Sequence, residues 1–130
     1  MASVLADIER SIRRDTVIPK PEAQSGDYIV EELWGESRGE DALVYSIPSR
    51  TPGARRNRKR VRKSEWVQAA KHLTATGDFR HSWFKQFMPE CYNDGTCNFT
   101  TIGGIFTLLG YAAYHARGVY LKQPGYAGED

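Results

Sequence analysis

Residues 64–122 read SEWVQAAKHLTATGDFRHSWFKQFMPECYNDGTCNFTTIGGIFTLLGYAAYHARGVYLK, and the fold turns on how this stretch passes from helical to extended periodicity. Ser64 offers an N-cap with Glu65 in the first turn. Trp66, Val67, Ala70 and Leu73 follow at helical spacing, so a helix is expected over about 65–75, with Gly77 as its stop. Asp78 or Ser82 caps a second helix, whose Trp83, Phe84, Phe87 and Met88 form an aromatic face ending at Pro89. Asn93-Asp94-Gly95 marks residues 91–97 as a loop. Asn98 or Thr100 then opens a third helix with Ile102, Ile105, Phe106 and Leu109 along one side, closed by Gly110. Residues 111–115 and 118–121 pair as a short hairpin around Ala116-Arg117.

Working outward, Val4, Leu5, Ile8 and Ile12 describe an amphipathic helix over 3–14 that docks on the core or on a second copy of the chain. Pro19, Pro21 and Gly26 punctuate a linker within the first 26 residues. Residues 27–34 and 42–47 read as two strands joined by the polar turn 35–41, an antiparallel hairpin that needs the following helices for support. Residues 123–130 are expected to fray. The whole is an α+β class single domain of 130 residues. A three-helix C-terminal half with a small antiparallel hairpin follows an N-terminal helix and a β-hairpin.

Charge is distributed unevenly. Residues 50–63 hold eight cations and no anion, namely Arg50, Arg55, Arg56, Arg58, Lys59, Arg60, Arg62 and Lys63. The net charge of +2 therefore leaves the rest of the chain at −6, and residues 1–49 carry ten acidic side chains against five basic ones. The basic segment opens on Thr51-Pro52-Gly53 and contains almost nothing apolar besides Val61, so an exposed loop at 50–63 is expected. Arginine-rich cations suit phosphates, with affinity that falls as salt rises. The same run also fits an acidic protein surface, a solvated loop or a localisation signal. The acidic N-terminal part, residues 1–26 in particular, is a candidate for shielding the run when no partner is bound.

The sequence of helices closing on Leu108-Leu109-Gly110, then a hairpin closing on Gly118-Val119-Tyr120, resembles a winged helix-turn-helix domain over 64–122. The resemblance implies a third helix in the major groove of DNA and a hairpin wing on the phosphate backbone. It would place Thr100, Thr101, Gly104 and Thr107 toward DNA, with Arg117 at the tip of the wing. Threonines cannot make the bidentate guanine contact of arginine, so base reading is weak on this helix. Gly103 and Gly104 serve close approach of another backbone, DNA or a neighbouring helix, or tight packing inside the domain or against a partner protein.

Other chemistries find little purchase. Cys91 and Cys97 lie too far apart for a zinc pair, and His72, His81 and His115 are scattered, so no metal site and no cofactor is expected. Glu31, Glu32, Glu36, Glu40 and Asp41 lie mostly in a turn and read as a solvated acidic cluster. Gly103-Gly104 lacks the Lys and Ser or Thr of a phosphate-cradling loop, and no catalytic residue is assigned. No apolar run is long enough for a membrane span, and no signal-peptide core is visible, which suggests a cytoplasmic or nucleoid-associated protein with reduced thiols. The expected function is nucleic-acid binding, of DNA before RNA, by a regulatory or accessory protein without enzymatic activity. The alternative is a protein-interaction adaptor or inhibitor, as a homodimer or with another protein.

Overall fold

Val4, Ile8 and Ile12 recur one helical turn apart and all three are buried, so the chain enters the fold as a helix docked on its own core, α1 (Val4–Ser11). The computed structural model describes residues 3–21 and 26–129. Among the described residues there are five helices, α1 included, and two antiparallel sheets, an α+β architecture. No helix among the described residues is long and apolar enough to cross a membrane.

The first sheet has four strands in the order β1 (Val17–Ile18), β2 (Tyr28–Ser37), β3 (Glu40–Ile47) and β4 (Asn57–Arg62). The expected hairpin is present, with strands longer than predicted and a shorter turn. Arg38 and Gly39 both take positive φ, the geometry of a two-residue turn that matches strand twist. β1 lies inside the region expected as linker. Part of that region, residues 22–25, falls outside the described residues, as does Asp130 of the tail.

The basic segment is not a loop throughout. Residues 57–62 form the edge strand β4, paired in register with β3 from Ala42↔Arg62 to Ile47↔Asn57. Its inner backbone groups pair with β3, so the strand is held by the ladder and needs little apolar surface of its own; Val61 alone is buried, opposite Leu43. The carbonyl of Val61 accepts the indole N–H of Trp66 at 3.1 Å, which ties β4 to the next helix.

That helix, α2 (Lys63–Thr76), begins before Ser64, because Glu40 from the hairpin supplies the acceptors. Ser64 N–H and Oγ donate to the two Glu40 carboxylate oxygens at 2.7 and 2.9 Å. It ends at Gly77, whose N–H donates to Leu73 O at 2.8 Å. Asp78–Arg80 is a strand, β5, rather than a helix cap. Two short helices follow, α3 (His81–Phe87) and α4 (Pro89–Asp94), where one helix and a loop were expected: Pro89 stops α3 and occupies the first turn of α4. Next come α5 (Asn98–Leu108), β6 (Ala112–Ala116) and β7 (Val119–Lys122). The second sheet has the order β5-β7-β6. Residues 64–122 thus hold four helices and three strands.

One contiguous core joins both sheets to the helices. Phe79 stacks on Phe99 at 4.9 Å between ring centroids and meets Phe84 and Phe106 edge-on. The described part of the tail packs against the body of the chain. Tyr126 stacks on Tyr111 at 3.9 Å, the N–H of Glu129 donates to Thr74 Oγ1 at 2.8 Å, and the Glu129 carboxylate accepts the N–H of Val4 at 2.9 Å.

Candidate functional site

Strand alternation divides the basic run between two faces. Asn57, Lys59 and Val61 stand opposite Ile47, Tyr45 and Leu43, while Arg58, Arg60 and Arg62 stand opposite Ser46, Val44 and Ala42. The eight cations do not form one patch, and half of them are engaged within the fold. Arg62 donates to Glu65 and Glu90, each at 3.0 Å, and its backbone N–H donates to Glu65 Oε1 at 2.8 Å. Hydrogen bonding and charge from Arg62, with a smaller contribution from Arg38, hold the Glu90 carboxyl below the ordinary carboxylate range. Arg56 donates to Ser46 Oγ at 2.8 Å and to the carbonyls of Ser46 and Asp27. Lys63 lies 3.6 Å from Asp41 and over the Trp34 ring, and Arg58 lies 3.8 Å from Glu32. The intramolecular counter-ions come from the hairpin and from α2 and α4; among the described residues, no carboxylate of residues 1–21 pairs with the run.

Arg50, Arg55, Lys59 and Arg60 remain without a carboxylate within 4.0 Å among the described residues. Arg50 and Lys59 line a cleft of about 350 Å³ with Tyr28, Thr96 and Cys97. Tyr28 and Thr96 are shared with a second cleft of about 590 Å³, which adds Lys20, Arg117, His81, Phe99, Thr100 and Tyr114. Neither cleft is lined by an acidic side chain. A third hollow, beside α1 and β2, mixes Glu9, Glu31 and Glu32 with Arg13, Arg14 and Arg58, and so offers no field of one sign.

The helix expected to face DNA is enclosed. Thr101, Gly103 and Gly104 on α5 are buried. A Cβ on Gly104 would lie 2.5 Å from both Ile18 Cγ2 and Pro19 O, and one on Gly103 would collide with the Tyr120 ring. The small-residue surface is used for packing within the chain, and it is not free for DNA or a partner protein. Of the threonines, Thr101 cannot reach a ligand, and Thr107 is exposed but returns its hydroxyl to Gly103 O at 2.8 Å. Thr100 lines the larger cleft. Arg117 occupies the exposed turn between β6 and β7 with no ion pair among the described residues.

Sequence reasoning missed Lys20, Tyr28 and Tyr114. Lys20 donates to Gly26 O and sits over the Tyr28 ring at 4.6 Å, and Tyr114 is 43% exposed, a large aromatic on an edge strand. Among the described residues no group of three His, Cys, Asp or Glu side chains could hold a metal ion. Burial raises the Cys91 thiol and, more strongly than its contacts with Cys97, the Tyr45 phenol, so neither is poised for nucleophilic chemistry.

The chain matches no protein-family model, no curated protein and no solved structure. The site therefore rests on its own geometry.

Proposed function

We propose that this chain binds nucleic acid through the face that carries Arg50, Lys59, Lys20 and Arg117, gripping phosphates and reading little sequence. The observation that carries the reading is the acid-free pair of clefts. Two adjoining concavities present four cations and no carboxylate, whereas Arg58, Arg62 and Lys63 of the same basic run face carboxylates of the fold. Such a field attracts a polyanion, and each phosphate contact releases counterions.

The order α2, β5, α3–α4, α5, β6, β7 with the sheet order β5-β7-β6 supports the likeness to winged helix-turn-helix domains. In such a domain the β6–β7 turn with Arg117 is the wing. The contact of Ile18 and Pro19 with Gly104 argues against the major-groove mode, because the helix that would insert is already covered. Backbone contact by the wing and β4 is the mode that this packing leaves open.

The test is a titration of the full chain with a labelled duplex and a labelled single strand across a salt series. Affinity is expected to fall steeply with salt, and Arg50→Ala, Lys59→Ala and Arg117→Ala together should reduce the log–log slope by roughly two to three, at about 0.7–0.9 per lost contact. Arg60→Ala, on the other face of β4, should leave the slope unchanged. Absence of binding to either probe, or equal losses from Arg60→Ala and Arg50→Ala, overturns the assignment. Binding to polyglutamate with the same variant pattern and none to nucleic acid would instead indicate an acidic protein partner.

A further inference from the structure

We infer that the larger cleft receives an unpaired base of a single-stranded nucleic acid, with Tyr114 as its stacking wall. The inference rests on the nucleic-acid reading above and specifies the ligand of that same face.

The bottom of the cleft is apolar and aromatic: Phe99 is 6% exposed and Tyr120 2%. Its accessible aromatics come from separate elements, Tyr28 on β2 and Tyr114 on β6, the latter held edge-on against Tyr120 at 5.8 Å. Tyr114 keeps 43% exposure beside this apolar floor, which leaves its ring available to a flat aromatic ligand. A volume of about 590 Å³ suits a small ligand or one nucleotide and is too confined for a duplex, whose bases are already stacked on one another.

Polar groups complete the match. The hydroxyls of Thr96 and Thr100 make no hydrogen bond within the described residues and are left to meet a base edge. Lys20 and Arg117 line the same cleft, and the adjoining one adds Arg50 and Lys59. A strand laid across both would keep its phosphates among cations while one base turns in against Tyr114. Every base has a π face, so this site distinguishes unpaired from paired nucleic acid more than one sequence from another.

The experiment measures anisotropy of the full chain with three probes at one salt concentration: a single strand of about 12 nucleotides, the abasic strand of equal length, and the matched duplex. The base-containing strand should bind at least tenfold more tightly than the abasic strand. Tyr114→Ala should lower that ratio roughly tenfold while leaving the abasic and duplex affinities in place, and Tyr114→Phe should preserve it. Equal binding of the base-containing and abasic strands by the unmodified chain overturns the inference while the nucleic-acid reading survives. Equal losses on all three probes in Tyr114→Ala also overturn it. If none of the three probes binds, the proposed function itself falls.

Discussion

Neighbouring arginines on β4 have opposite duties. Arg62 is nearly enclosed and holds the buried Glu65 and the exposed Glu90, so Arg62→Ala is expected to destabilise the fold by about 1.5–3 kcal/mol. Arg60→Ala should stay within about 0.5 kcal/mol, both read from urea unfolding. His72 gives a second contrast. Its ring stacks on Trp83 at 3.8 Å, and burial lowers its pKa below the ordinary 6.5 more strongly than Asp78, 4.0 Å away, raises it. The unfolded chain therefore takes up the proton first, and the native state should lose stability as pH falls through about 6.5, levelling out once the folded imidazole also charges. Urea midpoints compared at pH 7.5 and 5 in the parent and in His72→Gln test this: the variant should lose less on acidification. Gly104 is legible in the sequence as a point of close approach, but not in its partner. Ile18 and Pro19 lie more than eighty residues away along the chain, and only the folded topology brings them together.

Elements built from long periodic runs were readable, and those completed by distant groups were not. α2 and α5 announce themselves by apolar spacing, and the β2–β3 hairpin by its two apolar runs. β4 gives no such sign, because its cations mask a strand whose pairing depends on β3 and whose one inward apolar residue is Val61. The start of α2 shifts for a similar reason, since Arg62 caps it together with Glu65 and a first-turn N–H, that of Ser64, is met by Glu40, twenty-four residues upstream. The larger cleft draws on positions 20, 28, 96–100 and 114–120, so no local pattern could reveal it. The contacts of the tail are hard to read in sequence because Tyr126 stands alone among glycines and its partner Tyr111 lies elsewhere in the chain. Truncation after Gln123 removes the Tyr126–Tyr111 stack and the Glu129 bonds to Val4 and Thr74, and should cost about 2–4 kcal/mol in urea unfolding. Hydrogen exchange at the Val4 amide should accelerate with it.

Across the whole molecule, cations and carboxylates are sorted so that the hairpin and α4 neutralise one part of the basic run while the clefts keep theirs. The sum of +2 conceals this arrangement, and the position of the cations on the fold decides where a polyanion can land. β4 is also the outermost strand of its sheet, with Arg58, Lys59 and Arg60 in succession along it. Two molecules approaching rim to rim would oppose like charges, which keeps the unpaired ladder groups of β4 from recruiting a second copy. Raising the ionic strength weakens that repulsion, so light scattering should detect reversible association at molar salt that is absent at low salt, and Arg58→Glu with Arg60→Glu should invert the trend. The cations that the clefts leave out, Arg58 and Arg60, thereby hold the protein apart from itself.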